Sequence, residues 1–158
     1  MRINKNATAC TVAGVVAALA IGVAAPAAQA ATNQAPARTA VAQVQTYTAA
    51  SGVKPPAGLI GPNGEKPKKW GVATFPANAK GTLASHASKG GGTWTYGTGT
   101  DGRWKGCYSN FIHPSKKHSA SVAIATQTDK DIQEADKWAK AYAKNGWDHT
   151  CRAYWGVY

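Results

Sequence analysis

His113 and His118 stand five residues apart across Pro114-Ser115-Lys116-Lys117, the spacing in this chain that most suggests paired metal ligands. The two lysines between them would repel a cation, and no nearby carboxylate or free thiol completes a tetrahedral set. The pair therefore reads as a solvated turn, and His86 and His149 add nothing specific to it. Acyl transfer would call for a G-x-S-x-G turn; none is present, and Asp148-His149 is a coincidence of common residues. The acids available to flank a glycosidic bond in the C-terminal part are Asp101, Asp129, Asp131, Glu134, Asp136 and Asp148. Four of these share one segment and read as its solvated face rather than as a general acid and its base. Gly90-Gly91-Gly92 precedes no Lys-Ser or Lys-Thr, so it reads as flexible backbone, not as a phosphate loop. Catalytic chemistry finds no purchase, and neither an enzyme nor a cofactor or metal is expected.

Grip remains. Aromatic and basic residues interleave through the C-terminal part, and the candidate contacts are Trp94, Tyr96, Arg103, Trp104, Lys116, Lys117 and Arg152. Rings with a polar tip suit interfaces, and guanidinium or ammonium groups suit phosphate. Taken singly, each tryptophan has the core as its competing destination.

The ends say where such a surface would work. Arg2 and Lys5 precede an uncharged, small or apolar run from Ala9 to Ala25, then Pro26 and Ala28-Gln29-Ala30. That is the pattern of a cleavable signal peptide, with the cut expected after Ala30. An uncleaved anchor would need roughly 17–25 apolar residues, and the A-x-A site argues for cleavage instead. No later stretch is apolar enough to span a bilayer, so the expected product is secreted, either free or held at the cell wall. Cleavage would remove two of the 18 basic residues and none of the seven acids, leaving 16 − 7 = +9. Such a charge governs association rather than fold. For an exported chain the opposite poles are anionic lipid headgroups, teichoic-type polymers or pyrophosphate-linked wall precursors, and nucleic acid is not expected. Only Cys107 and Cys151 outlast processing; in an oxidising compartment they read first as one disulfide, with a catalytic thiol as the alternative.

Positioning falls to the C-terminal part. Residues 31–67 carry prolines at 36, 55, 56, 62 and 67 and few large apolar side chains, so a disordered linker or pro-segment is expected there. All six tryptophans, five of the six tyrosines and both phenylalanines lie from Trp70 onward, which makes 68–158 one small domain. Short β-prone runs cover Trp70–Phe75, Thr93–Tyr96, Cys107–Ile112, Ser119–Ala125 and Thr150–Tyr158, separated by glycine turns. Together they point to an all-β sandwich or barrel. Between Asp129 and Asn145 two patterns compete. Ile132, Ala135, Trp138, Ala139 and Tyr142 fall on a helical stripe, whereas Trp138 to Ala143 alternates large side chains with alanine. Periodicity alone favours the helix.

The runs GGGTWTYG, CYSNFIHPSKKHSASVAIA, WAKAYA and CRAYWGVY, in this order, resemble the lactococcin 972 family of bacteriocins over Gly90–Tyr158. The stretch from Val53 to Leu59 and on through Trp70–Phe75 is similar to the leader-proximal part of actinobacterial members. The resemblance implies a secreted antibacterial polypeptide folded as a small antiparallel β-sandwich, with WAKAYA as a strand rather than a helix. It further implies binding to the wall precursor lipid II, a block of septum formation, no pore and no catalysis. A homodimer is implied by the founding member. The Cys107–Cys151 pair is not universal in the family and points instead to a more rigid, monomeric variant.

Overall fold

The computed structural model describes residues 42–79 and 83–158; the expected signal peptide over 1–30 and residues 31–41 lie outside the described residues. Nine strands follow one another: β1 (Gln43–Thr48), β2 (Lys69–Phe75), β3 (Leu83–Lys89), β4 (Gly92–Asp101), β5 (Trp104–Ile112), β6 (His118–Ile124), β7 (Gln127–Gln133), β8 (Ala139–Asn145) and β9 (Cys151–Val157). They form a five-stranded sheet in the order β1-β2-β9-β6-β7 and a four-stranded sheet in the order β3-β4-β5-β8. Every pairing is antiparallel. The expected all-β sandwich is what forms. Among the described residues no helix is long and apolar enough to cross a membrane.

Period-two alternation decides which side chains meet between the sheets. Ala120, Val122 and Ile124 of β6 face Ala153, Trp155 and Val157 of β9 and Phe75 of β2 within one buried cluster. From the other sheet come Trp94, Tyr96, Cys107, Phe111, Ala139 and Ala141. Trp94 and Tyr96 stack with ring centroids 3.6 Å apart, and Phe111 lies 5.3 Å from Trp155. The Trp155 indole needs space that two glycines supply: a Cβ on Gly71 would sit 2.5 Å from its Nε1, and one on Gly90 2.5 Å from its Cζ3. Gly90 and Gly91, with φ of 60° and 93°, make the two-residue turn between β3 and β4, a hairpin geometry that favours glycine at both positions.

Two covalent or polar ties cross the sandwich. Cys107 of β5 is disulfide-bonded to Cys151 of β9, both fully buried. Nearby, the Trp94 Nε1–H donates to Ser109 Oγ at 2.9 Å, and that hydroxyl donates to the Tyr154 carbonyl at 2.7 Å. Buried polar groups demand partners, so this chain of bonds fixes how the two sheets sit.

Two expectations are corrected. The helix that periodicity alone favours over 129–145 does not form; the segment is β7 and β8, joined through 134–138, and Ala139–Ala143 of WAKAYA lies in a strand as the family resemblance implies. Ala139 and Ala141 fill the narrow inner face while Lys140 and Tyr142 point outward, as the alternating pattern required. Helical periodicity lost because β8 completes the four-stranded sheet beside β5. The second correction concerns 43–67, which joins the domain instead of leading to it. β1 pairs with β2 along six residue pairs. The segment after it lies across the outer face of the five-stranded sheet, where Leu59 is fully buried beside Trp70 and Val72, with Tyr47 and Tyr154 packed around them. Its anchors are long-range: Tyr158 Oη donates to Leu59 O at 2.7 Å, Lys130 Nζ to Ile60 O at 2.9 Å, and Lys117 Nζ pairs with Glu65 at 2.9 Å. Prolines hold this strap extended without forbidding it to pack.

Candidate functional site

Even-numbered residues of β2 and β9 face away from the core, onto the outer surface of the five-stranded sheet. The register sets Val72 beside Tyr154 and Thr74 beside Arg152, while β1 brings Gln45 opposite Val72 and Tyr47 opposite Trp70. The strap covers one end of this surface and leaves the other open. Between them runs a groove of about 270 Å³ lined by Gln45, Lys54, Pro56, Trp70, Val72, Thr74, Arg152 and Tyr154. Across Trp70 a second hollow of about 200 Å³ adds Lys66 and again includes Lys54. The Trp70 ring is held by stacking on Tyr47, centroids 4.3 Å apart.

The electrostatics of the groove are one-sided. Lys54 and Arg152 supply positive charge, and none of the lining residues is a carboxylate. Burial pushes the Tyr154 hydroxyl above its usual range, against the opposing pull of Arg152, so it is a neutral donor at physiological pH. Two cations, a phenol, a threonine hydroxyl and an amide around a partly apolar floor make a pocket for an anionic head carrying several acceptor oxygens.

The residues chosen from sequence do not converge. Trp94 and Tyr96 are 0% and 5% exposed, and as stacked core residues they are no contacts for a partner. Arg103 and Trp104 sit at the β4–β5 hairpin, where the guanidinium lies 4.6 Å from the Trp104 ring centroid. Lys116 is exposed in the loop before β6, whereas Lys117 is engaged with Glu65 of the strap. Only Arg152 reaches the groove. Lys54, Trp70 and Tyr154 were missed: Lys54 lay in the expected linker, and the Val72–Tyr154 pairing joins residues 82 positions apart.

The histidines also settle differently. Pro114 to Lys116 are exposed, but His118 is fully buried, its Nδ1 2.8 Å from Lys116 O and its Nε2 2.7 Å from Lys137 O. His113 is 4% exposed, and its Nδ1 accepts the Ser115 N–H at 3.2 Å. Both rings are anchors of the loop rather than parts of a solvated turn. Among the described residues no cluster of three or more His, Cys, Asp or Glu side chains could hold a metal. Lys105 is likewise structural: fully buried, it donates to Pro76 O at 2.7 Å and His149 O at 3.1 Å, and burial pulls its pKa below the usual lysine range.

No curated protein and no solved structure matches this chain. A family does: residues 90–155, from the β3–β4 turn into β9, match the family model described as Bacteriocin (Lactococcin_972), so the β4–β9 part of the sandwich carries the sequence pattern of the lactococcin 972 bacteriocins.

Proposed function

We propose that this protein is an exported bacteriocin that binds the cell-wall precursor lipid II of target bacteria and blocks septum and wall synthesis stoichiometrically, without turnover. The family match supports the bacteriocin part. The groove carries the rest: Lys54 and Arg152 face an opening that contains no acid and is flanked by Trp70 and Tyr154. A pyrophosphate linked to a glycopeptide head needs cationic donors for its oxygens and apolar or aromatic surface for the adjoining sugar. The strap and β1, which build one wall of the groove, lie outside the span 90–155 matched by the family.

Titration of the purified exported chain with lipid II in detergent micelles, followed by calorimetry, tests the reading. Binding should weaken at least tenfold in Lys54→Glu/Arg152→Glu, while growth inhibition of sensitive cells, with septal defects, should be relieved by added lipid II. Neither binding nor inhibition of any tested strain would end it. Salt-elutable attachment to the producer's own wall, with no killing, would make the protein a wall-associated module instead.

A further inference from the structure

Exposed aromatic side chains are expected to be scattered, yet here they gather on the face opposite the groove. Three aromatics are among the large apolar side chains more than a third exposed: Trp104 at 37%, Trp138 at 40% and Tyr142 at 46%. Alternation puts Trp104 and Tyr142 on the outer face of the four-stranded sheet, and Trp138 stands in the 134–138 connection immediately before β8. Trp104 opens β5, whose inward positions are Lys105, Cys107, Ser109 and Phe111; Tyr142 is an outward position of β8, and Trp138 stands four residues before it. Tyr108 adjoins Tyr142 across the β5–β8 ladder.

How Tyr142 lies is informative. A Cβ on Gly106 would meet its Oη at 2.7 Å and its Cε2 at 3.1 Å, so the ring lies over the glycine rather than standing off the sheet. Its hydroxyl is pinned by Asp101 at 2.6 Å, which also accepts from Lys144 at 3.0 Å. Gly97 and Gly99 of β4 keep the sheet beside these rings bare of side chains. A flat-lying, fixed ring with one face in solvent is a stacking platform. It is not a wedge that enters a bilayer.

Charge and backbone narrow the partner. Arg103, Lys140 and Lys144 are set against Asp101 on the face and Asp129 and Asp131 along its edge, so the surface is balanced within a strongly basic chain. The two edge aspartates accept the backbone N–H groups of Tyr142 and Lys140, at 2.8 and 2.9 Å. Those amides are therefore closed to a strand from another chain. What fits is an uncharged partner that stacks on rings and exchanges hydrogen bonds with Asn110, Thr95 and Lys140. Pyranose rings do both, because their axial C–H bonds carry partial positive charge toward the negative π face.

We infer that the outer face of the four-stranded sheet binds an uncharged glycan chain, with Tyr142 as the central stacking residue and Trp104 and Trp138 as outer platforms. β8 runs about 10 Å from Ala139 to Tyr142 and Trp138 precedes it, so the ligand is an oligomer or polymer rather than a single sugar. This site is separate from the groove and does not depend on it.

Co-sedimentation of the exported chain with insoluble chitin, an uncharged polymer of N-acetylated hexosamine, tests the inference, with anionic phospholipid vesicles as the competing surface. Retention should persist in 0.5 M salt (about a 4 Å screening length), fall at least tenfold in Tyr142→Ala, and survive in Tyr142→Phe, which keeps the ring. Trp138→Ala, outside the strand ladder, should weaken retention severalfold with an unchanged melting temperature. Lys54→Glu/Arg152→Glu should bind chitin normally, so loss of the groove and loss of this face are distinguishable. No retention, retention abolished by salt, retention unaffected by Tyr142→Ala, or binding to vesicles in place of chitin would overturn it.

Discussion

Removing the Cys107–Cys151 bond offers a perturbation whose size can be worked from the structure. The two cysteines are 44 residues apart in sequence and lie in opposite sheets. In the chain-entropy treatment, a loop of this length removes on the order of 13 cal/mol/K from the unfolded ensemble, about 4 kcal/mol at 25 °C. Both sulfurs are fully buried between Thr98, Ala143, Phe75 and Ile124, their ladder neighbours, so reductant reaches them only through opening of the sandwich. For a domain of this size 4 kcal/mol corresponds to a fall in melting temperature on the order of 15 °C. The assay is a circular dichroism melt of the oxidised chain, of the chain reduced under denaturing conditions and refolded in phosphine, and of Cys107→Ala/Cys151→Ala, with free thiols titrated in each. Reduced chain and double variant should both melt well below the oxidised form, the variant slightly lower because its side chains are smaller. If both melt within about 3 °C of the oxidised protein, packing alone joins the sheets and the loop-entropy reasoning fails.

Gly90→Ala should cost about 2–4 kcal/mol, because a left-handed backbone and the Trp155 ring both oppose the methyl group, whereas Gly102→Ala, at φ 58° with open space around it, should cost only about 1–2. Urea unfolding of the two variants would separate them, and equal losses would count against the Trp155 contact. The Tyr142 hydroxyl is pushed up to about 12, by burial first and then by Asp101, so the folded chain keeps a proton that the unfolded chain loses near pH 10. Stability is therefore full below pH 10 and falls as pH rises toward about 12. Tyr142→Phe should lack that part of the alkaline loss, and identical profiles would refute the assignment. Lys117→Glu should lower the melting temperature slightly through the strap, with recovery in Lys117→Glu/Glu65→Lys, while Lys116→Glu should leave the melt unchanged. A charge swap without recovery would deny the pair a role.

Legibility followed the source of each signal. Trp70–Phe75, Thr93–Tyr96, Cys107–Ile112, Ser119–Ala125 and Thr150–Tyr158 all fall on observed strands, because each combines β-branched or aromatic residues with alternation, and the first three are closed by a nearby glycine or proline. β7, with the sequence QTDKDIQ, and β3, with LASHASK, carry almost no apolar face and could not be seen. Both are edge strands held by a neighbour on one side, so their pairing partners, not their own residues, make them strands. β1 and the strap were hidden for a related reason. Their burial is supplied by Trp70, Tyr154 and Tyr158, residues between 11 and 99 positions away from those they cover or bind.

The same logic explains why the candidate contacts scattered. Composition counts aromatic and basic residues without assigning them a side, and in a sandwich each strand divides its residues between core and solvent. Trp94 and Tyr96, two positions apart, share a face, and it is the inner one; Trp104 and Tyr142 share the opposite one. Had parity been anchored on the Cys107–Cys151 bond, which must lie inside, odd residues of β5 and β9 would have been assigned inward and Trp104, Tyr108, Arg152 and Tyr154 outward. Those four divide between the two outer faces, two on each sheet. One covalent tie, predicted from compartment alone, thus contained the sidedness of the whole surface. Reading it required only that a strand alternates, and the two outer faces then follow as the separate surfaces to which the proposed anionic head and the proposed sugar chain are assigned.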